Sequence, residues 1–433
     1  MYARHSMLSV IAANDRLKLA GIQRTGWKPS PELIKSVAAI VEDVRLRGDA
    51  ALVEYMRSVC DGQFDASKLR VAIPMTDQAR ALVPVEIADA FRLAKQRITK
   101  VHERERHADV NWVDEDGTRY SMRYRPLDSV AVYVPGGSNA SAVLMSAVPA
   151  KIAGVSRVIV LAHPDATGSI HPAVVFAASL CDVDELYAVG GAHAIAAAAY
   201  GTQSIVPVDK IVGTAPPAVT EAKRQVYGMC GIDTLSGPPE VLVIADDGAN
   251  TELVTGELLA QAERDRSARV AVVSESRPLL DAVAQLIDTL DVKTLPRGDV
   301  IAEVVGESCY LIHAESRDEL FDAANGFAPE RVALHVRDAE PYLARLRRAG
   351  AVFVGDLTPI ACGDYLAGTN SVQPSYGAAR FSSGLSLADF TRNFSVVENS
   401  RERMLRDSQP LAALSDFEGL PQHAQTARMR SGA

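Results

Sequence analysis

Apolar residues recur along this chain in two alternating rhythms. Unbroken runs such as Ser129-Val-Ala-Val-Tyr-Val134, Arg157-Val-Ile-Val-Leu-Ala162 and Arg269-Val-Ala-Val-Val273 have the length of strands buried on both faces. Between them lie stretches of helical spacing. Leu33, Ile34, Val37, Ile40, Val41 and Val44 share one helical face, behind Ser30 as N-cap and Pro31 at the first helical position. A second helical pattern runs through Tyr55. Residues 76–107 read as more helix, ending in a charged, solvated run from Lys100 to His107.

From Asp128 onward the two rhythms alternate. A first series places strands at 129–134, 157–162 and 185–189, with helices at 142–153 and 171–181 and an Ala-rich helix opening at Gly190-Gly191. A second series starts at Glu240-Val-Leu-Val-Ile-Ala-Asp246. It predicts helices at 251–263, 277–290, 316–325 and 338–348, and strands at 269–273, 309–313, 332–335 and 351–354. Such alternation predicts an α/β protein with two doubly wound parallel sheets, whose ligands sit at the turns after the strands. The expected organisation has one unit (129–239) inserted in a larger one (31–128 and 240–382). An N-terminal arm (1–30) precedes them, and a tail (383–433) of weak apolar periodicity follows.

The last predicted strand, Ala351-Val-Phe-Val354, runs into a long loop, Gly355 to Ser371, too rich in Gly, Pro, Thr and Asn for helix or sheet. Long ordered loops inside compact proteins are often functional, and this one carries Asp364, Tyr365 and Asn370. Gly136-Gly137 and Gly190-Gly191 each allow a backbone to approach a phosphate, although residues 129–240 contain no G-x-G-x-x-G.

Composition narrows the function classes. A net charge of −9 argues against a nucleic-acid partner. No apolar run approaches the roughly 20 residues that span a bilayer, and the first residues lack the apolar core of a signal peptide. The 5 cysteines are scattered, which suits a reducing cytoplasm and offers no thiolate metal site.

Several motifs occur in one order: Tyr133-Val-Pro-Gly-Gly137, Gly191-Ala-His-Ala-Ile195, Thr220-Glu-Ala-Lys-Arg-Gln-Val226, Gly237-Pro-Pro-Glu-Val-Leu-Val-Ile-Ala-Asp246, Leu258-Leu-Ala-Gln-Ala-Glu263, Ala328-Pro-Glu330 and Gly363-Asp-Tyr-Leu-Ala-Gly-Thr-Asn370. Together, over roughly residues 30–430, they resemble the histidinol dehydrogenase family. The resemblance implies two Rossmann-like doubly wound domains, one inserted in the other. It also implies a zinc site, two NAD-dependent oxidations of an amino alcohol, and a homodimer in which each C-terminal tail completes the partner's pocket.

Carried over residue by residue, the resemblance implies metal ligands at Gln261, Asp364 and His423, with Arg264 where the family has a histidine. An arginine offers no lone pair to a cation, so zinc is expected to be weak or lost, with Arg264 on the same helix as Gln261 pairing with Asp364 instead. The family's acid–base Glu-His is Glu330-Arg331 here, and the neighbouring arginines are expected to lower the Glu330 pKa. The substrate positions fall on Pro239, Ser371, Glu418 and His423, beside Gln261, Arg264 and Asp364. The NAD positions fall on Tyr133, Gly136, Gly137, His193 and Pro216. Because arginines grip anions, the expected reaction is NAD-dependent oxidation of a small polar, anionic alcohol or aldehyde other than histidinol. Two alternatives stand beside it: an inactive homologue that binds a small anion or a protein, and a histidinol dehydrogenase with an altered site.

Overall fold

The structure, a computed structural model, describes residues 8–23, 26–60 and 63–431. Its strands, in chain order, begin with β1 (Val10–Ala12), β2 (Arg70–Val71), β3 (Val110–Val113), β4 (Arg119–Pro126) and β5 (Ser129–Val134). Next come β6 (Arg157–Ala162), β7 (Glu185–Ala188), β8 (Lys210–Val212), β9 (Gly231–Ile232) and β10 (Glu240–Ala245). The last are β11 (Arg269–Ser274), β12 (Cys309–His313), β13 (Arg331–His335), β14 (Ala351–Val354) and β15 (Thr391–Glu398).

These form two mainly parallel sheets, of order β2-β7-β6-β5-β8-β9 and β1-β12-β11-β10-β13-β14, as the alternation predicts. In each sheet the chain winds outward from a central strand in one direction and then returns on the other side. The direction reverses between β5 and β8 in the first sheet and between β10 and β13 in the second. The central strands are buried along almost their whole length, which explains their unbroken apolar sequences.

The units are divided differently from the expected boundaries. Helices Pro31–Arg47, Asp49–Val59 and Val85–His102 lend Val37, Val44, Leu52, Met56 and Ile98 to the core of the first sheet, not to that of the second. The N-terminal arm is no free appendage either. Residues 1–7, 24 and 25 lie outside the described residues, but β1 extends the second sheet by pairing with β12, and Leu19 and Ile22 join its core. The Gly355–Ser371 loop holds one helical turn, Ala361–Tyr365, where irregular chain was expected. That turn is fixed by the buried Ile360, whose N–H donates to both Glu257 carboxylate oxygens (3.2 and 3.3 Å).

A third, antiparallel sheet of order β15-β4-β3 and two C-terminal helices, Arg401–Phe417 and Pro421–Ser431, complete the chain. Among the described residues no helix is long and apolar enough to cross a membrane.

Candidate active site

At the amino ends of β10 and β13 the second sheet gathers three carboxylates and two guanidiniums. Helix Thr251–Ala262, capped by the Asn250 side chain, brings the buried Gln261 to this end. The helix stops at Ala262, so Arg264 lies in the following turn and not on the helix with Gln261, as expected from their spacing. From that turn its guanidinium still reaches inward. Nη1 donates to Gln261 Oε1 (3.2 Å) and to Asp364 Oδ2 (3.3 Å).

Asp364 is delivered by the helical turn after β14. Gly363 makes this possible, because a Cβ there would stand 2.4 Å from the Phe353 ring. Arg331, whose side chain is only 2% exposed, grips Asp364 with both ends of its fork: Nη2 to Oδ1 at 2.9 Å and Nη1 to Oδ2 at 3.2 Å. It also donates to the Ser371 carbonyl at 3.0 Å and lies 3.3 Å from Glu330 Oε1. Ser371 therefore takes part through its backbone, with no side-chain hydrogen bond to the cluster among the described residues. Asn370 donates to the Met145 carbonyl and accepts from the Val372 N–H. It thus ties this loop to helix Ala140–Ala153, which follows the glycine turn of the first sheet.

Glu330 is buried, with Oε2 accepting weakly from the Glu240 N–H (3.4 Å) and the Ser375 hydroxyl (3.5 Å). Its pKa is pushed up to about 8, chiefly by burial; Arg264 opposes the shift, and Asp364 and Glu240 add to it. The expected lowering is thus reversed, since desolvation of the carboxylate outweighs the arginine charge. Burial likewise raises Asp364 above the usual carboxylate range, with Arg264 opposing.

Glu240 is a member of the cluster that the sequence reading missed. It is buried at the first residue of β10 and accepts from the Gly377 N–H at 3.0 Å. A lone charged residue opening an apolar strand was the available signal. Pro239, the residue before it, is buried and meets Arg269 through its backbone carbonyl. Glu418, just past helix Arg401–Phe417, and His423, on helix Pro421–Ser431, are exposed, and among the described residues neither joins the hydrogen bonds of the cluster in its own chain.

The expected dinucleotide positions lie at the carboxyl end of the first sheet. Gly136 and Gly137 follow β5, and Gly137, at φ +82°, has open space where a Cβ would stand. Pro216 is exposed at the turn after β8. Buried Lys223 braces that turn, donating to the Gly213 carbonyl (2.9 Å) and pairing with Asp233. Tyr133 is buried, its phenol pushed up to about 12 by burial against a hydrogen bond from the Gly191 backbone. His193 stacks on Tyr55 with ring centroids 3.9 Å apart, and its buried Nδ1 has no hydrogen-bond partner. Burial pulls its pKa down to about 4, against the pull of Asp43, so the ring is neutral at neutral pH. An open glycine turn at the reversal point of the sheet and an orphaned ring nitrogen suit a dinucleotide.

Zinc does not suit the residues of this cluster. Gln261 Oε1 and both Asp364 oxygens already accept from guanidiniums, which are permanently charged and have no lone pair.

Two doubly wound sheets, one of them with buried carboxylates at its amino end, define an α/β protein of Rossmann-like architecture. A family model described as histidinol dehydrogenase matches residues 24–431. A histidinol dehydrogenase from Gluconobacter oxydans is 39% identical over 396 residues, 91% of this chain and 92% of that protein. One from Aromatoleum aromaticum is 41% identical over 403 residues, covering 91% and 90% of the two chains. The crystal structure of histidinol dehydrogenase from Elizabethkingia anophelis superposes with a TM-score of 0.91 at 29% identity, covering 99% of this chain and 98% of that one. The chain belongs to the histidinol dehydrogenase family.

These relatives overturn the expectation of a substrate other than histidinol. Likeness over nine-tenths of both chains outweighs an inference from a few substituted positions in one cluster. Arginine at 264 and 331 is a change in how the site holds charge, not sufficient reason to change its substrate.

Proposed function

We propose that the protein oxidises histidinol, with NAD as the hydride acceptor and Glu330 as the acid–base group. The likeness to histidinol dehydrogenases over nine-tenths of both chains carries the reading, and buried Glu330, pushed up to about 8 by desolvation, stands in the cluster beside Arg331. A carboxyl so tuned exchanges protons close to working pH. Ionised Glu330 takes the alcohol proton as the carbon releases hydride. After Glu330 has passed that proton to solvent, water adds to the aldehyde with the carboxylate taking one of its protons, and a second hydride leaves to give the amino acid. NAD, when bound, supplies the hydride-accepting ring; Gly136, Gly137 and His193 are the residues of this chain that would hold it. The test is NADH absorbance on mixing purified protein with NAD and histidinol. Steady NADH formation is expected, and its absence while NAD still binds would remove this substrate.

The same reading includes a cytoplasmic homodimer in which His423 and Glu418 of each chain reach the other's cluster. Its support is their exposure, together with Leu411, Leu414 and Phe417 bare on the C-terminal helix, Phe417 at 91%. Among the described residues no two of the 5 cysteines form a disulfide, in keeping with a reducing compartment. Light scattering after size exclusion is expected to give twice the chain mass of 46.3 kDa, whereas a particle of one chain mass would end the exchange idea.

A further inference from the structure

We propose that the guanidiniums of Arg264 and Arg331 together take the place of the family's zinc, so that this site works without a metal. The inference rests on the reading of the cluster as an acid–base site for an alcohol.

Geometry and charge both support it. Asp364 would be a ligand to the cation, yet its Oδ1 accepts from Arg331 and its Oδ2 from Arg331 and Arg264. Gln261 Oε1, the second oxygen implied for the metal on this chain, also accepts from Arg264. A zinc ion would have to displace both groups while remaining beside two permanent positive charges, and each of these opposes binding. Conversely, two guanidiniums carry the charge of one dication. They spread it over a fork that fits carboxylate oxygens.

The pair also leaves donors for chemistry. Among the described residues Arg264 uses only Nη1, and its side chain is 34% exposed, so Nε and Nη2 remain for a ligand oxygen. An alcohol oxygen held there would have its developing negative charge stabilised as the O–H proton passes to ionised Glu330 and the C–H bond breaks, the hydride leaving to the acceptor that NAD would supply when bound. Arg331 is a positioning residue, since it reaches the reaction only through Asp364, Glu330 and the Ser371 carbonyl.

The test combines metal analysis with variants at the exposed arginine, where folding is least threatened. Wild type purified with added zinc is expected to retain less than about 0.1 zinc per chain. Zinc should not raise its melting temperature, and 1,10-phenanthroline should not slow NADH formation from histidinol. Arg264→His is expected to bind about one zinc per chain and to be stabilised by it. Arg264→Met is expected to lose kcat by roughly tenfold or more with little change in KM, and Arg264→Lys to recover part of that loss. Wild type holding about one zinc per chain, with activity lost on chelation, would overturn the proposal. So would a histidine variant that binds no more zinc than wild type. If histidinol yields no NADH but the zinc results hold, the proposed substrate fails and the guanidinium substitution stands.

Discussion

Replacing Arg331 by methionine is expected to destabilise the fold by about 3–5 kcal/mol, the usual effect of stripping one partner from a buried charge pair. The side chain is only 2% exposed, grips both Asp364 oxygens, and satisfies the Ser371 carbonyl. Methionine fills much of the volume but leaves the Asp364 charge and that carbonyl without their main donors. Arg264 cannot take over, because it reaches only Oδ2, at 3.3 Å. The same replacement at Arg264 should change stability far less, since its side chain is a third exposed and solvent screens the pair. Urea denaturation of both variants measures the contrast. The Arg331 loss should also shrink toward low pH. The Asp364 carboxyl is already raised by burial, and losing a guanidinium raises it further, so it protonates more readily and the uncompensated charge disappears. A loss below about 1 kcal/mol at neutral pH would mean that the pair is not the brace described here.

How much could be read in advance depended on burial. The parallel strands were legible because both faces are covered, leaving apolar runs such as Val130 to Val134. The antiparallel sheet was not, because β4 reads Arg-Tyr-Ser-Met-Arg-Tyr-Arg-Pro and β15 is exposed along nearly all its length, so neither shows a core-facing stripe. The C-terminal helices pack through the small residues Ala412, Ala424 and Ala427, which give little apolar periodicity. In the site, the meeting of Gln261, Arg264 and Asp364 was legible because Gln261 and Asp364 lie in motifs matched to the family and Arg264 directly follows the first of them. The sign of the Glu330 shift was not, because sequence shows the neighbouring arginine but not the enclosure that outweighs it. The substrate was misjudged for a related reason. Substituted histidines are conspicuous in one sequence, whereas likeness across the rest of the chain emerges only by comparison with relatives.

Glu330→Gln is expected to lower kcat for histidinol by roughly 10²–10⁴-fold, the usual contribution of a general base. In wild type the rate should rise with pH through an apparent pKa near 8, because the base is the ionised form. Stability should move the opposite way. The folded pKa is raised from 4.5 to about 8, so between those values the unfolded chain releases the proton and the folded chain keeps it. Folding then binds a proton, and stability falls as pH rises through this window, by an amount on the order of a few kcal/mol for a shift of this size. Below about pH 4.5 both states are protonated and the penalty vanishes; above about pH 8 it is complete. Glutamine cannot ionise, so Glu330→Gln should remove this slope and leave the variant no less stable than wild type at about pH 8, while nearly inactive. That combination separates an acid–base group from a packing residue, whose loss would lower stability along with rate. A variant that keeps the wild-type pH slope, or a wild-type rate flat between about pH 6 and pH 9, would assign the proton transfer to another group.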